Sequence, residues 1–349
     1  MDELSRRQFL SRAAMLGLAG AAVPAFLEAC AAGGPTNSAG GPKQSRTFTF
    51  GYDQPHDTGY GFYGDTFDKK LQELSGGTMK IHQFPGAQLG QEPVMAQKVR
   101  TGDIDFVINS TANTASVVPQ AGVFSMHYIF RDTNHLKKCV NDPKINQTFK
   151  DMIKAGTTGA FSLGLATLGF RNMYAKFPIN SIADVKGKKA RVQATKTEDA
   201  FFGSYGCVPV HMPFGEVYTA LQTGLVQLAE NGNDIYLKNK HYEVAPVLSV
   251  TEHEANNYHL WVSQKTWDSL SAQEQKWVQQ VVDYTPPLAT NKALEYSDEA
   301  VKTLQGLGVK WVAKVDKSGF QTAGKPLQDS VAKDLGSSAV QLLAQVRAL

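Results

Sequence analysis

The sequence predicts an α/β protein of two lobes built around parallel sheet. Strand-like runs alternate with helical runs, the pattern of parallel strands joined by crossovers. The 349 residues are too many for one ordinary core but suit two lobes. The composition, 42% hydrophobic and 19% charged, is that of a globular chain.

The folded part is expected to begin at RTFTFGYD, from Arg46, whose alternation reads as a strand. Phe67, Leu71 and Leu74 at helical spacing predict a helix over about 64–74, ended by Gly76-Gly77. TMKIHQF then reads as a strand, EPVMAQKVRTG as a helix stopped by Gly102, and DIDFVIN as a third strand. The middle repeats this order, with strands near 159–166, 170–175 and 188–193, a helix around 196–205 and a short strand VPV. In GEVYTALQTG, Val217, Ala220, Leu221 and Gly224 share one helical face, and LVQLAEN is the strand that follows. Glu230 and Asn231 therefore fall at the carboxyl end of a parallel strand, where open α/β sheets take ligands.

Two further strand-like runs, VLSVTEH and YHLWVSQ, precede SAQE at 271–274, a capping box with Glu274 three residues after Ser271. A long helical pattern follows through Trp277, Val278, Val281 and Val282. Pro286 and Pro287 lack N–H groups and push Thr285 away from helical geometry, which predicts a break or sharp kink. The pattern resumes through Leu294, Val301 and Leu304 to Gly306.

The N-terminus reads as an export signal. Arg6, Arg7 and Arg12 precede an apolar run, Ala13 to Phe26, too short for a spanning helix. The arginine pair in SRRQFL resembles the twin-arginine signal of bacterial export. Two processing sites compete. Leu27-Glu28-Ala29-Cys30 resembles a lipoprotein box in which Glu28 is awkward, and Ala29-Cys30-Ala31 is also an A-x-A site. The preferred reading makes residues 1–30 a signal peptide, Cys30 a lipid anchor and residues 31–45 a flexible tether. That places the protein in the periplasm or on the outer face of the cytoplasmic membrane.

A net charge of +3 with no clustered basic stripe gives no reason to expect nucleic acid. Cys139 and Cys207 are the only cysteines beyond Cys30, and without a C-x-x-C they are expected as unpaired thiols. Neither a metal nor a cofactor is expected.

Three motifs fail on their context. Gly59, Gly61 and Gly64 in GYGFYG match the dinucleotide fingerprint, but they lie several residues after a strand, and the next strand ends without a ribose-binding acid; a glycine-rich loop is the better reading. Ser162 in AFSLG sits within a continuous strand pattern, not on the strained turn a nucleophile needs. HEANNYH has Asn257 where a zincin helix needs its second histidine, so His253 is read as a hydrogen-bonding residue. Arg171 opens RNMYAKFPI, and Arg191 lies in KGKKARVQA, with Ala190 and Val192 facing one way and Arg191 the other. Arginine is mostly exposed, so residue type alone does not single out either one.

Four blocks, GQEPVMAQKVRTGDIDF, GFRNMYAKFPINSIADVKGKKARVQA, GCVPVHMPFGEVYTALQTGLVQLAEN and YEVAPVLSVTEH, are similar to the substrate-binding subunits of tripartite ATP-independent periplasmic (TRAP) transporters, the dicarboxylate-binding-protein group, over about residues 47–330. The resemblance implies a two-lobe periplasmic-binding-protein fold, the Venus flytrap, with hinge strands and a long helix. It implies lobe I over 46–168 and about 257–296, and lobe II over 169–256 and about 297–349. It implies a receptor, not an enzyme, that passes a small organic acid anion to a membrane permease.

By the same resemblance Arg191 forms a two-pronged pair with the ligand carboxylate, a geometry that suits a planar guanidinium. Arg171 is a second arginine of the cleft, Asn231 touches the ligand, and Phe214 packs beside it. Glu230 and His253 stand behind them and orient the arginines, while Ser110 and Asp53 fall on lining positions that vary with the ligand. The chain departs from the family pattern at Gln227, Leu228 and Ala229, at Gln193, and at Pro286-Pro287. Dicarboxylates, keto acids, sugar acids and aromatic acids all stay open as ligands, with Phe214, Tyr52 and Tyr218 hinting at room for an aromatic or extended tail. The rivals are a secreted enzyme acting on a carboxylate and a ligand-binding subunit of a sensor.

Overall fold

The computed structural model describes residues 45–349, so the export signal, Cys30 and nearly all of the tether lie outside the described residues. In chain order the elements are β1 (Arg46–Gly51), α1 (Gly59–Ser75), β2 (Met79–Phe84), α2 (Glu92–Thr101), β3 (Phe106–Ser110), α3 (Thr111–Thr114), α4 (Thr133–Asn141) and α5 (Pro143–Gly156). There follow β4 (Ala160–Ala175), β5 (Lys189–Val192), α6 (Lys196–Ser204), β6 (Val208–His211), α7 (Val217–Thr223), β7 (Leu228–Asn231), α8 (Asn233–Lys238) and β8 (Val247–Ser263). The chain closes with α9 (Gln264–Ser269), α10 (Ala272–Gly306), β9 (Lys310–Val312), α11 (Ser318–Leu335) and α12 (Ser337–Ala348).

The strands form one sheet ordered β2-β1-β3-β8-β4-β7-β5-β6, with β9 on β8. It is mixed, where the alternation predicted a parallel one. β1, β2 and β3 pair in parallel, as do β5, β6 and β7, but β8 runs antiparallel to β3 and to β4, and β4 antiparallel to β7. Each expected pair of short strands is a single long one: β4 has 16 residues and β8 has 17. Gly169, at the expected gap, has φ 93° and lies within a register shift between β4 and β8. Glycine relieves the strand there and the ladder continues. His253 and His259 lie on β8 with no turn between them.

The glycines of GYGFYG form the first turns of α1, which starts five residues before the expected helix. A Cβ on Gly61 would sit 1.8 Å from the His56 carbonyl oxygen, so glycine admits the loop that folds back over the helix start. Phe50, Tyr63, Phe67 and Phe106 pack between α1 and the β1–β3 strands. Met173, Val192, Phe202 and Leu228 fill a separate cluster beside β4, β5 and β7. Cys139 and Cys207 are buried free thiols in different clusters.

The Ser271–Glu274 capping box starts α10 as expected. The break does not occur: α10 runs 35 residues with Pro286 and Pro287 inside it. Thr285, Pro286, Ala289, Thr290 and Ala293 are buried, so packing holds the helix where local preference opposes it. Asp283, whose carbonyl loses its partner to Pro287, is exposed, which leaves that carbonyl to water. No described helix is long and apolar enough to cross a membrane.

Candidate functional site

The carboxyl ends of the parallel strands on both sides of β4 and β8 open onto one cavity. Asp53 follows β1, Ser110 ends β3, Arg191 sits next to the end of β5, and Asn231 ends β7. All four line the cavity, as do Arg171 from β4 and Phe214 from the turn before α7. The six residues expected to meet a ligand thus come together from separate stretches of chain. Glu230 and His253 are fully buried and lie behind the cavity wall. Tyr52 and Tyr218 do not line the cavity: their hydroxyls donate to Gln83 and Glu243.

The two arginines are equally buried but differently partnered. Arg171 Nη2 donates to Glu230 Oε1 at 2.6 Å, and its Nε donates to Glu230 Oε2. Its Nη1 donates to Asn256 Oδ1 at 2.9 Å, and Glu254 Oε2 lies 3.2 Å from Nε. Burial opposes the charge of Arg171, but Glu230 and Glu254 outweigh it and hold the guanidinium firmly protonated. Arg191 donates through Nε and Nη2 to the Met212 carbonyl, at 3.3 and 3.1 Å. Its Nη1 is 3.9 Å from Glu230 Oε1 and makes no hydrogen bond among the described residues. Burial here prevails and draws the Arg191 pKa down, with Glu230 a partial counterweight. Phe214 places its ring 5.7 Å from the Arg191 guanidinium carbon. Arg191 is therefore a desolvated cation short of an anion.

The opposite wall is acidic and amidic. Sequence reasoning missed Glu92, the first residue of α2, which accepts from Ser110 Oγ at 2.5 Å, from the Ser110 N–H and from Asn113 Nδ2 at 2.7 Å. It missed Tyr60, Gln54, Asn113, Gln193 and Asn256 as well. Glu92 stood in plain view at the start of EPVMAQKVRTG, but an acid in a helix's first turn is ordinary, and only its burial sets it apart. Burial, with Glu92 nearby, pushes the Asp53 carboxyl well above the usual carboxylate range, against the pull of Gln54 and Arg191. Burial likewise raises Glu92. The amides of Gln54, Asn113 and Asn256 supply N–H donors beside these carboxyls. The wall therefore offers both donors and acceptors, as hydroxyl groups require.

A cavity at converging strand ends, with a guanidinium on one wall and hydroxyl-matching groups on the other, defines a receptor for a small polar anion. The model of the bacterial extracellular solute-binding protein family 7 matches residues 50–334, and the chain belongs to that family. It is 29% identical over 274 residues to the sialic acid-binding periplasmic protein of Vibrio cholerae, covering 78% of this chain and 84% of that one. Among solved structures it resembles a TRAP periplasmic solute-binding protein of a Bradyrhizobium species in complex with D-galacturonate. The TM-score is 0.82 at 30% identity, over 87% of this chain and 100% of that one. It also resembles one from a Polaromonas species bound to D-erythronate, with a TM-score of 0.81 at 29% identity, over 87% of this chain and 98% of that one. Their two-lobe α/β fold is the fold of this chain, and the family's members are substrate-binding receptors of the periplasm.

Proposed function

We propose that the chain captures a polyhydroxylated monocarboxylate, a sugar acid of hexuronate or aldonate type, and delivers it intact to a TRAP-type membrane permease. The observation that carries this is Arg191, buried beside Phe214 with Nη1 unbonded among the described residues. The ligand carboxylate takes the guanidinium fork, Asn231 and Arg171 bind alongside, and hydroxyls meet Asp53, Ser110 and Glu92 opposite. The relatives bound to galacturonate and erythronate support the same class.

The lobes we assign are 46–168 with about 257–296, and 169–256 with about 297–349, with β4 and β8 as the strands that pass between them. Closure of such lobes dries the cavity and strengthens the charge-assisted pair. Glu230 orients Arg171, and His253 supports Glu230 from 3.8 Å. Export carries the protein to the periplasm, and Cys30 is the proposed lipid anchor, which the mass of the processed chain decides.

The test is titration calorimetry of the protein with D-galacturonate, D-erythronate, succinate and galactose. The two sugar acids bind in the micromolar range or tighter, while succinate and the uncharged sugar bind at least tenfold more weakly. Equal binding of galactose removes the carboxylate clamp, and preference for succinate removes the sugar-acid class. Recovery of chemically unchanged galacturonate separates the receptor from an enzyme.

A further inference from the structure

Behind the arginine pair lies a second polar cluster, two of whose members, His253 and Glu254, also back the Glu230–Arg171 pair. His127 follows the turn at 119–125, Glu198 lies in the first turn of α6, and His253 and Glu254 are neighbours on β8. All four are at most 2% exposed. Among the described residues, His127 Nε2, His253 Nε2 and both Glu198 carboxylate oxygens make no hydrogen bond, and Glu254 Oε2 has only its ion-pair contact with Arg171 Nε at 3.2 Å. Buried polar atoms left without partners are rare and call for a specific cause.

The other ring nitrogen of each histidine is held. His127 Nδ1 pairs with the Tyr205 hydroxyl at 2.8 Å, and His253 Nδ1 with the Thr251 hydroxyl at 2.8 Å. The rings stand 4.8 Å apart at 70°. One ligand atom each from His127, His253 and Glu254 lies within 4.8 Å of the other two, and Glu198 Oε2 is 4.0 Å from His127 Nε2. Imidazoles fixed at one nitrogen by an outer partner and open at the other have the arrangement of metal-ligating histidines.

We propose that His127, His253 and Glu254, with Glu198 as a fourth ligand, form a buried site for a divalent transition-metal cation of the zinc type. Two neutral imidazoles and two carboxylates are a nitrogen–oxygen donor set that suits Zn²⁺. A tetrahedral ion with bonds of ~2.0–2.1 Å needs ligand atoms roughly 3.4 Å apart, so His127, His253 and Glu254 draw inward by under about 1.5 Å. Burial keeps both imidazoles neutral, as ligation requires. Arg171 keeps Glu230 when Glu254 turns to the cation, so the guanidinium is not orphaned.

The experiment loads the chelator-treated full chain with Zn²⁺, and separately with Co²⁺ as a spectroscopic probe. One equivalent of Zn²⁺ is expected by elemental analysis, with a rise in Tm, and Co²⁺ is expected to show the visible bands of a four-coordinate site. His127→Gln and Glu198→Gln should each weaken Zn²⁺ binding at least about tenfold, with near-ultraviolet circular dichroism confirming the fold. Failure of the wild-type chain to take up either ion overturns the proposal. So does unchanged uptake in both variants, which assigns the ion to the exposed His56–Asp65 or His211–Asp199 pairs. If a variant does not fold, the wild-type cobalt spectrum and metal content decide the matter alone.

Discussion

Glu230 on β7 grips Arg171 on the neighbouring strand β4, accepting from Nη2 at 2.6 Å and from Nε, while the same carboxylate stays 3.9 Å from Arg191. One acid thus satisfies one arginine and leaves the other only partly balanced. The division of labour between the two cations rests on that difference in distance.

Replacing Arg191 with lysine should raise the Kd for a sugar acid about tenfold or more, since a charge-assisted bond is worth roughly 1.5–3 kcal/mol and lysine cannot present two parallel donors. Alanine should cost more. Calorimetry with D-galacturonate reads the change, and an unaltered Kd in Arg191→Ala places the carboxylate elsewhere.

Glu230→Gln should lower folding stability by roughly 2–3 kcal/mol in urea denaturation. That is less than the ~3–5 kcal/mol of a fully orphaned buried charge, because Glu254 remains 3.2 Å from the Arg171 guanidinium. A loss within experimental error would mean that Arg171 is not held by this acid.

The buried histidines' contribution to stability should be lost as pH drops from about 6.5 toward 3, while the raised Asp53, Glu92, Glu198 and Glu254 carboxyls act in the opposite sense. Burial lowers His127, His241 and His259 to about 3, while the unfolded chain takes up protons near 6.5. Between those values the unfolded state binds protons that the folded state refuses. The histidines' contribution is therefore complete above about 6.5 and lost progressively below it. His259, held between Thr114 and Ser162, does not line the ligand cavity. His259→Gln should make the stability–pH slope in this window shallower by at most about 1.4 kcal/mol per pH unit. An unchanged slope would show that His259 does not titrate differently on folding.

Pro287→Ala should stabilise the protein by about 1–3 kcal/mol, because an N–H returns to an exposed position within a continuous helix and a poor helix former leaves it. Chemical denaturation measures this. A loss of stability would mean that the proline ring contributes packing on the groove side, where it lies near Asn146 and Leu163.

Short-range rules made much of this protein legible. The strand β1, the helix stops at Gly76 and Gly102, and the Ser271–Glu274 cap follow from residues within a few positions of one another. Arg171, Arg191, Phe214 and Asn231 came from the family resemblance of long blocks, since an arginine in a strand carries no mark of its role. Long-range packing defeated the local reading where the two disagreed. Pro286-Pro287 did not break α10, Gly169 did not divide β4, and the glycines before Phe67 became helix.

The sequence by itself determined the alternation of elements, the caps, the charge balance and the family, because periodicity and residue chemistry act over a few positions and survive without coordinates. Only the tertiary structure decided that Glu92 joins Asp53 in lining one cavity, that Glu230 serves Arg171 ahead of Arg191, and that His127, Glu198, His253 and Glu254 converge. Burial and distance join residues up to 127 positions apart, and desolvation acts only once they have met.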